Sequence, residues 1–136
     1  MNKKQTIEYY NKLLAEHGSD SPRAVSWTNE DVQIERFLTI QKYVPKNYCI
    51  TILDYGCGLG DLSPYLYGEY TGYDINENLI KAAKEKEEAI SSYRTFTTTL
   101  PKKKFDVIVS SGVFCLAPKE DLDKCCNPYL NLTGKM

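Results

Sequence analysis

The sequence predicts a single doubly wound α/β domain with a parallel sheet, preceded by helices; its 136 residues suit one domain. Two observations support this prediction. From about residue 46, apolar β-branched segments alternate with segments of helical periodicity, which is typical of strands joined through helices and paired in parallel. The first of these strands runs directly into a glycine-rich stretch, and ligands bind at that position in such sheets.

Residues 1–45 form the predicted N-terminal helical segment. Residues 3–17 place Ile7, Tyr10 and Leu14 on one helical face, and a glycine follows as a stop signal. After a polar, proline-containing linker, a second helix is expected from near Thr28, where TNED resembles a capping box. The predicted inner face of this second helix consists of Val32, Ile34, Phe37, Leu38 and Gln41.

Residues 46–136 carry the predicted α/β core. Strands are expected at residues 48–55, 70–74, 94–100 and 105–111. A short helix is expected at 61–68, because proline is tolerated in a first turn, and another helix is expected to start within residues 119–130. A longer helix is expected at 75–93, with Asn76 as its cap and with Ile80 and Ala83 facing inward.

Composition and charge exclude several classes of protein. The 17 basic and 18 acidic residues give a net charge of -1, so no basic surface for nucleic acid or an anionic membrane is expected. No apolar run approaches the ~18 residues of a membrane span, and the N-terminus lacks the apolar centre of a signal peptide. The five cysteines include no C-x-x-C pair, which indicates reduced thiols of a cytoplasmic protein and no metal site.

The stretch LDYGCGLGD, residues 53–61, indicates a ligand-binding turn. Gly56 and Gly58 are able to adopt positive φ angles and to let a ligand approach the main chain. The dinucleotide fingerprint G-x-G-x-x-G is incomplete in either register, because its sixth position is Asp61 or Ser63. Asp61 would also repel a pyrophosphate. Both points argue against an NAD-dependent oxidoreductase.

An acidic residue ends the second predicted strand. Asp74 follows Gly56 by 18 residues, and its carboxylate is able to accept hydrogen bonds from both hydroxyls of a ribose. The helix start after the glycines would offer free N–H groups to an anionic part of the same ligand. These features fit a nucleoside with a zwitterionic, cationic tail better than they fit NAD.

Three segments resemble motifs of the class I S-adenosylmethionine-dependent methyltransferases, which have a Rossmann-like fold. ILDYGCGLG, YTGYDINENLIKAAKEK and FDVIVSSGVF are similar to the first, second and fourth motifs, and EHGSDSPRAVSW resembles a segment before the core in a bacterial branch. The resemblance covers roughly residues 5–116. It implies S-adenosylmethionine as the cofactor and methyl transfer to a small-molecule acceptor. It also implies a seven-stranded core, so the last three strands are expected to be missing from a C-terminally truncated domain.

The resemblance further implies a cofactor site made of four groups of residues. The methionine part of the cofactor would be surrounded by Asp54, Gly56, Cys57, Gly58, Gly60 and Asp61. The nucleoside would be held by Asp74 on the ribose, Ile75 on the adenine ring, and Thr97 or Thr98 near the adenine amino group. The sulfonium side, facing the acceptor, would be lined by Ser110, Ser111 and Gly112. The linker would close over the cofactor with Arg23, paired to its carboxylate, and Trp27.

No residue is identified as a catalytic base. Methyl transfer requires mainly that the acceptor is held in line with the methyl group and that water is excluded. The single histidine, His17, is expected to interact with a helix dipole instead. Because the predicted fourth strand would be an apolar edge, a second copy or a partner chain is expected to cover it. Because the domain is expected to be truncated, a non-catalytic cofactor-binding remnant and half of a split enzyme are the alternatives to an active methyltransferase.

Overall fold

The computed structural model describes residues 2–87 and 94–111. Four strands are present there: β1 (Thr51–Tyr55), β2 (Glu69–Tyr73), β3 (Arg94–Thr97) and β4 (Val107–Val109). They form one sheet in the order β3-β2-β1-β4, and every pair is parallel. In this register Tyr55 lies beside Tyr73, and Tyr73 lies beside Thr97. The predicted parallel α/β sheet is confirmed, and the carboxyl ends of its strands meet at one edge, called here the carboxyl edge.

Within the described residues, three α-helices precede or connect the strands: α1 (Lys3–His17), α2 (Glu30–Tyr43) and α3 (Glu77–Glu87). A capping box starts α1, because the Asn2 side chain accepts from the Gln5 N–H and the Gln5 side chain accepts from the Asn2 N–H. Asn76 caps α3 as predicted, with its Oδ1 accepting from the N–H groups of Asn78 and Leu79. Two 3₁₀ helices, Pro22–Val25 and Ser63–Tyr65, complete the described helical segments.

Two predictions for α2 were wrong. Its cap is Asn29, whose Oδ1 accepts from the Val32 N–H at 2.9 Å, and the helix begins only at Glu30. Of the expected inner face, Phe37 is buried and Ile34 and Gln41 are half-buried, but Val32 and Leu38 are 42% and 44% exposed. The face that packs inward is instead spaced every three to four residues along Gln33, Phe37, Ile40 and Val44. The polar Gln33 at its start concealed this face in the sequence.

The predicted helix at 61–68 is also corrected. Only the 3₁₀ helix Ser63–Tyr65 forms there, and Leu66 directly after it is already extended. Gly60 and Gly68 bound this segment with φ angles of 75° and 122°, which no α-helix contains. The short span between two such bends leaves no room for further helical turns.

The two faces of the sheet are buried by different partners. One face is covered by α2, the second 3₁₀ helix and α3, in clusters that include Phe37, Ile52, Leu62, Tyr70, Ile80 and Ala83. Ile80 and Ala83 therefore face inward as predicted. The other face holds a cluster of Leu53, Tyr73 and Phe105, with Tyr55, Ile75 and Ile108 packed against it. Because neighbouring residues of a strand point to opposite faces, Ile52 and Leu53 fall into different clusters.

Several sequence predictions concern features that the structure describes only in part. Within residues 2–87 and 94–111, no helix has both the length and the apolar character needed to span a bilayer. Cys49 and Cys57 are free thiols, whereas Cys115, Cys125 and Cys126 lie outside the described residues, as does the helix expected within 119–130. The covering of β4 by a second copy or another chain stays a prediction.

Gly60 is required by packing as well as by its backbone conformation. A Cβ atom built on it would lie 2.5 Å from Cε1 of Phe96, and its φ angle is 75°. Phe96 belongs to β3, so this contact fixes the end of the glycine-rich stretch against the neighbouring strands. Gly18 has a similar φ angle of 78°, but a Cβ there would have no atom within 4 Å.

We expect Gly60→Ala to lower the free energy of unfolding by about 2–4 kcal/mol, because it adds the clash with Phe96 to the strain of a positive φ. Gly18→Ala should lose less, about 1–3 kcal/mol, from backbone strain alone, since its φ of 78° and ψ of 165° belong to a region nearly confined to glycine and its Cβ would meet no atom. Urea unfolding of the two variants, followed by circular dichroism, gives this comparison. Equal losses of stability in the two variants would contradict the role of the Phe96 contact.

Candidate functional site

The carboxyl edge brings together most of the residues that the sequence singled out. The N–H groups of Gly56 and Cys57 both donate to the carbonyl oxygen of Tyr73, at 2.7 and 2.9 Å, so the ends of β1 and β2 are joined directly. Ser110, after β4, donates its Oγ hydrogen to the carbonyl oxygen of Tyr55 at 3.0 Å. The site is therefore formed by adjacent strand ends, as the fold class predicts.

The glycine turn, residues 56–60, follows β1. Gly56, Gly58 and Gly60 all have positive φ angles, of 79°, 56° and 75°. Besides the two bonds to Tyr73, the Gly58 N–H donates to Asp74 Oδ2 at 3.0 Å and the Gly60 N–H donates to the Cys57 carbonyl at 2.9 Å. These main-chain donors are satisfied within the protein, and they fix the shape of the turn.

The predicted anion site at a helix N-terminus after the glycines was wrong. The helix that follows is the short 3₁₀ helix, and the Ser63 N–H already donates to the carbonyl oxygen of Gly60 at 3.0 Å. A single 3₁₀ turn has little of the aligned dipole that an α-helix presents to an anion.

Asp74 lies between the glycine turn and the start of α3. Its Oδ2 accepts from the Gly58 N–H at 3.0 Å, and its Oδ1 accepts from the Asn76 N–H at 2.9 Å. Burial raises the pKa of the Asp74 carboxyl group, while the N–H groups of Asn76, Gly58 and Ile75 act in the opposite direction. The carboxylate therefore faces the turn and the start of α3, and three main-chain N–H groups already act on its lone pairs.

Asp54 is the second carboxyl group of the edge, and it is 3% exposed. Its Oδ2 accepts a 2.6 Å hydrogen bond from the hydroxyl of Tyr70, on the neighbouring strand β2. Burial raises the pKa of Asp54 to about 7; the Tyr70 hydrogen bond lowers it, and the charge of Asp74 adds to the rise. Near neutral pH Asp54 is thus divided between its charged and neutral forms.

Cys57 packs inside the turn. The Cys57 Sγ would lie 2.9 Å from a Cβ atom built on Gly72 of β2. The Cys57 side chain also contacts the cluster that contains Tyr70 and Phe96. Burial, with the charges of Asp54 and Asp74, raises the pKa of the Cys57 thiol well above its usual value. A protonated, packed thiol supports the interpretation of Cys57 as a filler of a tight turn.

Asp61, just after the turn, has a cationic partner that the sequence did not reveal. Its Oδ1 lies 2.6 Å from Nζ of Lys86 on α3, and the same Nζ donates to the Ser19 carbonyl at 2.9 Å. This ion pair neutralises the charge of Asp61. The argument that Asp61 would repel a pyrophosphate is therefore weaker than the sequence suggested, and Asp54 and Asp74 remain as the carboxyl groups of the edge.

The N-terminal linker crosses the glycine turn. Cγ1 of Val25 lies 3.0 Å from the Cβ position of Gly58, so the first 3₁₀ helix covers part of the turn. Gly58 is buried there, which corrects the expectation that its main chain is open to a ligand. Arg23, in that helix, is exposed. Trp27 packs edge-on against Phe37 of α2, with ring centroids 6.3 Å apart. The linker is thus beside the turn, while the Trp27 ring is engaged by α2.

The remaining predicted site residues occupy the other strand ends. Ile75 packs against the cluster on the far face of the sheet, and the hydroxyl of Thr97 bonds within its own turn to the main chain of Thr99. Ser111 has a buried Oγ without a hydrogen-bond partner in the described part of the chain. Gly112 lies outside the described residues.

Three supporting residues were missed by sequence reasoning. Tyr70 and Lys86 are the partners of Asp54 and Asp61. Asn76 was identified only as a cap, but its amide also donates to Asn11 Oδ1 at 2.9 Å and to the Ile7 carbonyl at 3.3 Å, which ties α1 to the site. The one available signal was Tyr70, because a tyrosine inside an apolar strand requires a partner for its hydroxyl.

The chain is similar to known proteins in sequence and in fold. The profile of a family described as "Methyltransferase domain" matches residues 52–133. No match was found among curated proteins.

Solved structures share the fold at low sequence identity. Magnesium protoporphyrin IX methyltransferase (ChlM) from Synechocystis PCC 6803 with bound SAH aligns with a TM-score of 0.68 and 21% identity, over 96% of this chain and 68% of that one. The chain also aligns with a SAM-dependent methyltransferase from Thiobacillus denitrificans in complex with S-adenosyl-L-homocysteine. The TM-score is 0.60 and the identity 17%, over 96% of this chain and 52% of that one. YjhP from E. coli aligns with a TM-score of 0.60 and 19% identity, over 71% of this chain and 44% of that one. The chain spans only 34–44% of the length of the first solved structures that it matches.

We expect Asp54→Asn to flatten the pH dependence of stability. The folded chain keeps the Asp54 proton up to about pH 7, whereas the unfolded chain releases it near 3.8. The free energy of unfolding therefore falls as the pH rises between these values, by an amount on the order of 4 kcal/mol for this group. Urea unfolding at about pH 5 and about pH 8 measures this slope.

Asparagine still accepts the Tyr70 hydrogen bond, so only the titration is removed. A residual slope of the same sign from Asp74 is expected in the variant. Tyr70→Phe is the companion variant: it withdraws the donor from the carboxylate, raises the pKa of Asp54 further and should extend the fall in stability to higher pH. An unchanged slope in Asp54→Asn would contradict the raised pKa.

Proposed function

The chain belongs to the methyltransferase-domain family, and on that premise we propose that it binds S-adenosylmethionine at the carboxyl edge and transfers its methyl group to a small-molecule acceptor. The observation that carries the proposal is the position of Asp74. Its carboxylate lies at the end of β2, bonded to the N–H of Gly58 in the turn that ends β1. An acidic group at this point is placed for the ribose of a nucleoside bound across the two strand ends.

The residues present fit this cofactor in two respects. Gly56 combines a positive φ angle with the absence of a side chain at the end of β1, whereas Gly58 is covered by Val25. Asp74, and Asp54 in its charged form, favour a cation and disfavour a diphosphate.

The proposed roles are those of binding and orientation. S-adenosylmethionine supplies a methyl group on a sulfonium, which is already activated for transfer. Asp74 would accept from the ribose with the lone-pair capacity that the N–H groups of Gly58, Asn76 and Ile75 leave free. Ile75 would lie against the adenine, and Ser110 and Ser111 would face the acceptor.

The N-terminal linker would exclude water from the reacting groups. It already covers Gly58 through Val25, and Arg23 is exposed next to that contact and so is free to pair with a carboxylate. In-line placement and a dry site are the main requirements for transfer from a sulfonium. No catalytic base is proposed, and His17 remains at the last turn of α1.

We expect calorimetric titration of the full chain to show binding of S-adenosylmethionine and S-adenosylhomocysteine, and weaker binding of NADH. Asp74→Asn should weaken S-adenosylmethionine binding about tenfold or more, because hydrogen bonds to a charged acceptor contribute about 1.5–3 kcal/mol. The asparagine keeps only one acceptor oxygen for the N–H groups of Gly58 and Asn76, so urea unfolding of the variant is measured beside the titration to separate lost binding from loss of the turn.

Asp106→Asn is the matched control. Its Oδ2 also accepts a main-chain bond, from the Thr51 N–H at 2.9 Å, but it lies at the opposite end of the sheet, where β1 begins. It should leave the affinity unchanged. Equal effects of the two substitutions, or tighter binding of NADH than of S-adenosylmethionine, would overturn the proposed cofactor.

Methyl transfer itself is tested with S-adenosylmethionine labelled in the methyl carbon. Incubation with a small-molecule extract should yield labelled products that are absent with Asp74→Asn. Tight cofactor binding with no labelled product under any condition would favour the non-catalytic or split-enzyme alternatives.

A further inference from the structure

The N-terminal linker, residues 18–27, rests on the glycine turn between two bends of the chain. The bends are at Gly18 and Ser26, whose φ angles are 78° and 68°. Ser26 is the only residue other than glycine with a positive φ angle in the described part of the chain. Its Oγ lies 3.1 Å from the hydroxyl of Tyr9, so the end of the linker is attached to α1.

Apolar packing holds the middle of the linker. Ala24 is fully buried in a cluster with Leu59 of the glycine turn and Leu79 of α3, and Val25 packs against this cluster. The main chain after Arg23 is therefore shielded, although the Arg23 side chain is exposed. An alanine buries little apolar surface, so this packing alone is a weak attachment.

A polar clamp, formed by Lys86, Asp61 and Ser19, holds the start of the linker. Lys86 lies in the last turn of α3, and its Nζ donates to Asp61 Oδ1 at 2.6 Å and to the Ser19 carbonyl oxygen at 2.9 Å. The side chains of Lys86 and Asp61 are only 30% and 28% exposed, so their attraction is screened less than that of a surface pair. One ammonium group thus joins α3, the end of the glycine turn and the linker.

The ammonium group of Lys86 is needed because its two partners are both acceptors. The Asp61 carboxylate and the Ser19 carbonyl oxygen each lie within 2.9 Å of the same nitrogen. Without that nitrogen they would face one another unpaired, and two negatively polarised oxygens repel. Removal of Lys86 would therefore push the start of the linker away from the glycine turn.

We propose that Lys86 is a positioning residue that keeps the linker closed over the glycine turn and so limits how fast S-adenosylmethionine enters and leaves the carboxyl edge. This inference rests on the proposed function for the identity of the ligand. The clamp itself does not rest on it, because all three members are residues of this chain.

Limited digestion of the full chain with trypsin measures the linker directly, with no cofactor added. Cleavage after Arg23 requires Ala24 to leave its cluster, whereas cleavage after Arg36, within α2, requires that helix to unfold. The ratio of the two cleavage rates, read by mass spectrometry, therefore separates opening of the linker from loss of overall stability. Lys86→Met should raise this ratio about fivefold or more, because a charge-assisted clamp is lost.

Lys84→Met is the matched control, because Lys84 lies in the same last turn of α3 and is exposed. It should leave the ratio unchanged. Lys86→Arg, which keeps the charge and the N–H donors, should stay close to the unsubstituted chain. High salt should raise the ratio in the unsubstituted chain but not in Lys86→Met. Equal ratios in Lys86→Met and Lys84→Met would overturn the clamp.

The release of methyl-labelled S-adenosylmethionine, followed by rapid filtration, tests the effect on the ligand. Lys86→Met should release it about fivefold faster or more, whereas Lys84→Met should release it at the unchanged rate. Unchanged release from a Lys86→Met variant that binds the cofactor would overturn the role of Lys86 in exchange. Absence of binding in every variant would instead overturn the proposed function, and the trypsin ratios would still decide whether the clamp holds the linker.

Discussion

The carboxylate of Asp74 is the contact on which the arrangement of the site depends. One oxygen accepts from Gly58 in the glycine turn, and the other accepts from the N–H of Asn76 before α3. Asn76 in turn donates its side-chain amide to Asn11 of α1. A single acidic residue thus connects the ends of two strands with two helices. The same carboxylate is the group that the proposed cofactor would use, so structure and binding depend on one side chain.

The sheet was predictable because its signals are local and strong. The apolar runs that became β1 and β4, and the cap of α3 at Asn76, follow from residue type and spacing alone. The inner face of α2 was predictable only in part: Phe37 is buried as expected, but the first buried residue of the face is the polar Gln33. The α-helix expected after the glycine turn does not form, because the bends at Gly60 and Gly68 override the helical propensity between them.

The site was predictable in its positions and only partly in its contacts. Parallel pairing brings residues that end adjacent strands to one edge, so Gly56, Asp74 and Ser110 were expected together before any coordinates. The partner of Asp61 was not predictable, since Lys86 is 25 residues away and lies on another element. Such long-range pairs depend on how helices pack, which residue spacing does not encode.

The satisfied donors of the glycine turn bear on the thermodynamics of ligand uptake. Because the N–H groups of Gly56, Cys57, Gly58 and Gly60 are bonded within the protein, this segment is preorganised, and its ordering entropy is spent during folding. Loss of the turn is then equivalent to partial unfolding. Apparent affinity would consequently track the population of folded chains, and a saturating ligand would raise the melting temperature in proportion to the logarithm of its concentration.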